Sequence, residues 1–328
     1  MVSFLCGRNS IAVKPTKSIH KIHRTNGLGE CSISGAKNKS NKSEAENQDA
    51  YISYISEHES GRSIFAVFDG HGSSGHLVSQ FCRSRLLSTL ESEGFDVIKT
   101  FQNLQHDLEW SNNTNYNDND SPPIDSECSG TTCTLVQIQN GILYCSNVGD
   151  SKALLATRNT NNQLQGTELT VDHKPDDENE RQRIITNGGK VYSTSQGTED
   201  DGERVPIRVW YTTGKGTQMG LAMTRSIGDI AAHKVGVSCE PSMAERKLEE
   251  NDEFIVIGSD GLFDVLKNDE ILTTVNNYMA TLPPDEHRYA WKPAYVANIL
   301  ATKARKRWIE YSDYIDDITC CVSNSHAL

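Results

Sequence analysis

The sequence predicts an α+β layered fold in which antiparallel sheets carry helices on the outside. Short apolar runs rich in β-branched and aromatic residues recur along the chain. Some of them face each other across turn residues as hairpins, and the helical patterns sit apart from the strands.

The elements follow in chain order. Residues 1–25 read as a poorly ordered leader with Lys14, Lys17, Lys21 and Arg24 spread through it, and KNKSNKSEAE (37–46) reads as a polar loop. AYISYIS (50–56) and SIFAVF (63–68) form the first expected hairpin, joined through residues 57–61. A helix is expected over 76–92. NNTNYNDNDSPPIDSE (112–127) is rich in Asn and Asp and broken by Pro122 and Pro123, so it reads as a disordered insertion. CTLVQIQ (133–139) is a strand, and GILYCSNVGDSKALLAT (141–157) reads as a second hairpin turning at Gly149 and Asp150. The helix over 176–187 is well signalled. Pro175 precedes it, Asp176, Asp177 and Glu178 load its start, Arg181 and Arg183 come later, and Gly188 and Gly189 stop it. Residues 193–206 and 212–218 read as surface loops. EFIVIGS (253–259) and ITCCV (318–322) complete the strands, and 268–280 and 293–310 the helices.

Composition sets outer limits. The chain has 328 residues, 36% hydrophobic and 23% charged, which suits a protein with a sizeable core. No run approaches the roughly 18–20 apolar residues of a membrane span, and MVSFLCGRNSIAV is too short and polar for a secretory signal. Val2 stands where myristoylation needs Gly. A net charge of −12 argues against a nucleic-acid partner. The nine cysteines are scattered without a CxxC pair and read as reduced, mostly buried thiols. Adjacent Cys320 and Cys321 must face opposite sides of a strand. Lys303, Arg305, Lys306 and Arg307 read as a solvated helix face beside the apolar Val296, Ile299 and Leu300. A monomer of the cytoplasm or nucleus, without membrane partners, is expected.

Four acids mark the candidate site. SIFAVFDGHG runs an apolar strand into Asp69, and EFIVIGSDG does the same into Asp260. Asp49 and Asp316 stand at the start of strands instead. In the 51–68 hairpin, Asp49 enters the first strand and Asp69 leaves the second, so both lie at its open end. Asp260 and Asp316 meet in the same way if their strands are neighbours. Four carboxylates gathered at one end of a layered fold repel unless cations neutralise them. An all-oxygen set without a His/Cys cluster suits Mg²⁺ or Mn²⁺ rather than zinc.

These residues also resemble a known family, the metal-dependent serine/threonine protein phosphatases of the protein phosphatase 2C family. ENQDAY (46–51), VFDGHG (67–72), SGTTC (129–133), NVGDSKALL (147–155), LTVDHKPDDENERQRIITNGGKV (169–191), LAMTRSIGD (221–229), SDGLFDVL (259–266) and DDIT (316–319) follow the family order and span nearly the whole chain. The resemblance implies a single catalytic domain over 26–326, a four-layer α-β-β-α sandwich with a flap-like loop near 192–218. It implies that Asp69 bridges two Mg²⁺ or Mn²⁺ ions, that the Gly70 carbonyl binds one of them, and that Asp260 and Asp316 hold the other. Asp49 would ligate a metal or orient metal-bound water, and Asp229 would support a third, weaker metal site. The implied reaction is hydrolysis of phosphoserine and phosphothreonine in phosphoprotein substrates by a metal-activated water, without a phosphoenzyme, and His71 would protonate the leaving oxygen.

The sequence departs from the pattern in places. The base that grips substrate phosphate is expected four or five residues before Asp49, where Glu44 and Ala45 stand, so Lys42 or Lys39 become candidates. Gln48 occupies a position that is Glu in some members, and Asp317 stands where Asn is usual, an added acid beside the metals. A catalytically weak member acting as a phosphoprotein-binding scaffold is the competing expectation. A cysteine-dependent phosphatase is excluded, because no cysteine is followed six positions later by Arg; Cys239, for instance, meets Glu245.

Overall fold

Apolar residues occupy both faces of the longest strands, so each strand must be covered twice. The computed structural model describes residues 28–36, 46–55, 62–113, 124–193, 206–283 and 291–325. The expected leader, Lys39, Lys42, Glu44 and Ala45 lie outside the described residues, as do most of the expected insertion and part of the flap-like loop.

The strands are β1 (Leu28–Ile33), β2 (Asp49–Ile55), β3 (Ser63–His71), β4 (Gly130–Thr131), β5 (Cys133–Gln139), β6 (Ile142–Val148), β7 (Lys152–Arg158), β8 (Leu164–Glu168), β9 (Lys190–Tyr192), β10 (Arg208–Thr212), β11 (Gln218–Leu221), β12 (Ile227–Gly228), β13 (Ser242–Lys247), β14 (Asp252–Gly258) and β15 (Ile318–Asn324). The helices are α1 (Gly75–Ser92), α2 (Val97–Asn113), α3 (Glu178–Thr186), α4 (Ile230–His233), α5 (Asp260–Phe263), α6 (Asn268–Met279) and α7 (Pro293–Tyr311). One antiparallel sheet has the order β1-β15-β14-β7-β8, and a second runs β12-β4-β3-β5-β6-β13 with β2 also on β3. A small third sheet orders β11-β10-β9.

Strand alternation sorts the core into layers. Ile64, Ala66 and Phe68 of β3 pack against Val78, Cys82 and Leu86 of α1 and Phe101 and Leu104 of α2. Their neighbours Phe65 and Val67 turn the other way, onto Ala153, Leu155, Ile255, Ile257 and Cys321 of the opposing sheet. On that sheet the alternate residues Leu154, Phe254, Val256, Cys320 and Val322 face Leu262, Val275, Val296 and Leu300 of α5, α6 and α7. Helices, sheet, sheet and helices therefore stack in that order, as expected. Cys320 and Cys321 fall in different layers, and the cysteines of the described residues are free thiols. No helix among the described residues is long and apolar enough to cross a membrane.

Several elements differ from expectation. The 51–68 hairpin is present, with Asp49 opposite Asp69 and Ile55 opposite Ser63. The second hairpin is not. β6 pairs with β5 and β13, whereas β7 pairs with β14 and β8, so Gly149 and Asp150 carry the chain from one sheet to the other. Gly149 makes that crossing at φ +103°, a region open to glycine. Asp177 is the N-cap of α3, its carboxylate accepting from the amides of Asn179 and Glu180. Helix α2 was not among the expected helices, although Val97, Phe101, Leu104 and Leu108 form an apolar stripe on it. β10 and β11 border the polar stretch 212–218, which is largely the turn between them. The basic cluster of α7 is partly spent within the chain: Lys303 donates to Thr274, Arg305 to the Ser34 carbonyl and Arg307 to Glu270.

Phe65 stands fully buried between the two sheets. Phe65→Ala is expected to lower the unfolding free energy by about 3–5 kcal/mol, while Ile185→Ala on the exposed side of α3 changes it by less than about 0.5 kcal/mol. Urea unfolding followed by circular dichroism measures both.

Candidate metal centre

The antiparallel register of β2 and β3 sets Asp49 directly across from Asp69. Like charges opposed in this way are destabilising, yet Asp49 is only 5% exposed. Its Oδ2 accepts a hydrogen bond from the Ser259 hydroxyl (2.8 Å), and Ser259 Oγ itself accepts the Thr319 amide (3.0 Å). One hydroxyl thus ties the entry of β2 to β15 of the other sheet. Asp49 Oδ1 is buried with no hydrogen-bond partner among the described residues. Burial, followed by the charges of Asp317 and Asp316, outweighs the Thr319 and Ser259 hydroxyls and pushes the Asp49 carboxyl up to about 7.

Asp69 does not end its strand. β3 continues through Gly70 and His71, which pair with Thr131 and Gly130 of β4. The Asp69 amide donates to Thr132 Oγ1 (3.0 Å) and its carbonyl accepts the Thr132 amide (2.9 Å), which fixes the backbone below the carboxylate. Gly70 must be glycine for steric reasons, since a Cβ there would lie 2.5 Å from the Gln48 and Gly75 carbonyl oxygens. The Gln48 side chain donates to the Gly72 carbonyl (2.8 Å).

Asp260 opens α5, with Ser259 as its N-cap residue, rather than a turn. β14 and β15 are neighbours, Gly258 opposite Cys320, so the end of one lies beside the start of the other and Asp260 and Asp316 share a site. Contact is close: a Cβ at Gly261 would lie 1.9 Å from the Asp317 carbonyl oxygen. Asp316 Oδ1 accepts from the Tyr314 hydroxyl (2.8 Å) and the Asp317 amide (2.9 Å). Burial, then the charges of Asp260, Asp49 and Asp316, raises the Asp69 carboxyl well above its ordinary range. Burial, then Asp150 and Asp316, does the same to Asp260.

Asp150 belongs with these acids although the sequence reading placed it in a hairpin turn. It is 2% exposed, one oxygen pairs with Lys174 Nζ, and the other has no hydrogen-bond partner among the described residues. Its charge reaches Asp69, Asp260 and Asp264, and Lys174 offsets part of it at Asp260 and Asp264. The signal was in the sequence: ILYCSNVGD also runs an apolar strand toward an acid.

Two acids have other partners. The Asp317 carboxylate accepts the Gly35 amide (2.6 Å) and the Gln48 amide (2.8 Å), one on each oxygen, so it clamps the chain after β1 and the entry to β2. Asp229 is fully buried in the left-handed region at φ 45°, and its Oδ2 accepts from the Ser226 hydroxyl and meets His71 Nε2, each at 2.6 Å. Gly130 leaves room for this pair, because a Cβ there would lie 2.2 Å from Asp229 Oδ2. Burial alone would push the Asp229 carboxyl up, but His71 and Ser226 hold it below its usual range. Burial would lower the His71 imidazole, and the Asp229 charge raises it instead. His71 Nδ1 is buried, without a hydrogen-bond partner among the described residues.

No three His, Cys, Asp or Glu side chains among the described residues converge as a closed ligand cluster. What the structure does show is buried, mutually repelling carboxylates with unpartnered oxygens at Asp49 and Asp150. Such a donor set fits an oxygen-seeking divalent cation, with Asp49, Asp69, Asp260 and Asp316 able to hold it beside the Gly70 carbonyl.

The family model described as Protein phosphatase 2C matches residues 26–310. A rice protein (Oryza sativa subsp. japonica) named probable protein phosphatase 2C 14 is 31% identical over 321 residues, 87% of this chain and 58% of its own. The Arabidopsis thaliana protein named probable protein phosphatase 2C 35 is 30% identical, covering 84% of this chain and 78% of its own. The chain thus spans less than two thirds of some of these relatives. Among solved structures, a serine-threonine phosphatase 2C from Toxoplasma gondii shares the fold at TM-score 0.66 and 16% identity, covering 90% of this chain and 94% of its own. A C. elegans sex-determining protein does so at TM-score 0.67 and 20% identity, covering 91% and 64%.

The raised carboxyls set the sign of a pH dependence. A carboxyl raised in the folded state contributes stability below its unfolded value, and that stability is lost as pH rises through the folded one, about 7 for Asp49. The metal-free protein is therefore expected to lose stability from this group between about pH 4 and pH 7. Added Mg²⁺ or Mn²⁺ should raise the melting temperature at about pH 8 and do so much less at about pH 5. Thermal melts with and without the ions at both values check this.

Proposed function

The chain belongs to the protein phosphatase 2C family, and from that premise we propose that it hydrolyses phosphoserine and phosphothreonine in proteins with the help of Mg²⁺ or Mn²⁺. The observation that carries this reading is the meeting of Asp49, Asp69, Asp260 and Asp316 at one end of the two sheets, where burial and repulsion leave them in need of cations. Divalent ions bound there supply Lewis-acid polarisation of the phosphoryl group and an activated water.

The protein's own residues do the rest. The Asp69 backbone is held by the Thr132 amide and hydroxyl, and the Asp49 carboxylate by Ser259, before any ligand arrives. Asp229 fixes the His71 ring through Nε2 and favours its protonated form. His71 is then the group that would give a proton to the departing seryl or threonyl oxygen. In this reading Asp229 serves His71 through Oδ2, which the imidazole and Ser226 share, and its Oδ1, without a hydrogen-bond partner among the described residues, is left for a further metal.

Phosphate release from a phosphothreonine peptide should require Mg²⁺ or Mn²⁺ and stop on addition of EDTA. Asp69→Asn should lower kcat by about 10²-fold or more with the fold intact; near-normal turnover would remove Asp69 from the centre.

A second reading, a weakly active phosphoprotein-binding scaffold, draws on Glu44 and Ala45, which stand where a phosphate-gripping base is expected. Divalent binding with no turnover would favour it. If the missing base limits an active enzyme, Glu44→Arg should lower the KM for phosphopeptide about three- to tenfold, the gain of one charge-assisted contact.

A further inference from the structure

The chain between α7 and β15 carries a contact that no metal ligand requires. The Tyr314 amide donates to Ser312 Oγ (3.1 Å), turning the chain back after α7. Ile315 then exchanges two backbone hydrogen bonds with Ala36 (2.8 and 2.9 Å), which fixes the segment on its far side. The Trp308 indole donates to the Gly261 carbonyl (2.7 Å), beside Asp260. Its ring meets that of Tyr314 edge to face, with centroids 6.3 Å apart at 86°. From this brace the Tyr314 hydroxyl reaches Asp316 Oδ1 at 2.8 Å, where the Asp317 amide also donates. Oδ1 therefore carries two donors, and no hydrogen bond engages Oδ2 among the described residues.

We propose that Tyr314 is a metal-selectivity residue: its hydroxyl occupies Asp316 Oδ1 and restricts that carboxylate to ligation through Oδ2. One-oxygen ligation suits Mg²⁺ and Mn²⁺, which take six ligands at about 2.0–2.2 Å. Ca²⁺ gathers six to eight oxygens at roughly 2.3–2.6 Å and commonly takes a carboxylate through both. A phenol that holds one oxygen thus discriminates by coordination number, and it does so from outside the ligand set. The inference rests on the metal reading proposed above and adds a residue that reading does not use.

Tyr314→Phe removes the hydroxyl and keeps the ring against Trp308, and Tyr314 is 47% exposed, so the core loses nothing. Calorimetric titration of metal-free wild type and variant with Mg²⁺, Mn²⁺ and Ca²⁺ separately is the test. The Kd for Mg²⁺ and Mn²⁺ should rise about tenfold while that for Ca²⁺ holds or falls, so the preference over Ca²⁺ drops by about the same factor. Unchanged affinities, or equal weakening for all three ions, would overturn the role of Tyr314. If wild type binds no divalent ion, the metal reading itself fails and the inference falls with it, an outcome distinct from tight wild-type binding with an unaltered variant.

Discussion

Electrostatic repulsion among buried carboxylates is the constraint to which the rest of the structure answers. Asp49 and Asp69 are paired across one ladder, and Asp260 and Asp316 are brought beside them by the end of β14 and the start of β15. A desolvated carboxylate costs several kcal/mol even after relaxation. The opposing free energy comes from the layer between the sheets, where Phe65, Val67, Ile255 and Ile257 lock the two strand systems face to face. Ser259 adds a direct tie, accepting from one sheet through the Thr319 amide and donating to the other through Asp49. Separating the acids would mean pulling the sheets apart.

Donor supply divides the acids by role. Asp317 has a backbone amide on each oxygen and acts as a structural anchor, whereas Asp229 has an imidazole and a hydroxyl on Oδ2 alone. Asp49, Asp150 and Asp229 each keep a buried oxygen without a hydrogen-bond partner among the described residues. The added acid at position 317 is held by the amides of Gly35 and Gln48, and its charge still reaches Asp49 and Asp316. An asparagine side chain there could accept at one of those amides only.

The sequence exposed the features governed by local alternation and by strand ends. The 51–68 hairpin, the helices near 76–92, 176–187, 268–280 and 293–310, and the opposite facing of Cys320 and Cys321 follow from spacing of 2 or 3.6. GILYCSNVGDSKALLAT misled because both its strands are buried on two faces. An apolar run of that kind says nothing about which sheet receives it, and a Gly-Asp corner serves a sheet crossing as well as a hairpin. Reading Asp150 as a turn residue hid its place among the acids. The pairing of Asp229 with His71 was equally hidden, since 158 residues separate them and Gly130, which makes room for both, looks like any glycine in a loop.

The corner at Gly149 also explains how the acidic end is joined to α3. The Gly149 amide donates to His173 Nδ1 (3.1 Å) and its carbonyl accepts the His173 amide (3.0 Å). The His173 carbonyl in turn accepts the Thr224 amide (2.8 Å). The Thr224 hydroxyl donates to Glu180, which is held by Arg183 and Arg225. For Nδ1 to accept, His173 must stay neutral, and burial, followed by the Arg225 charge, lowers it to about 4. The link is thus intact throughout the neutral range. Asp150 sits one residue from this link and Lys174 one residue from its other side, so the backbone that sets their ion pair is the backbone that anchors α3 and the strands beyond it. The corner that carries Asp150 and the start of α3 are therefore tied together through one buried, neutral histidine.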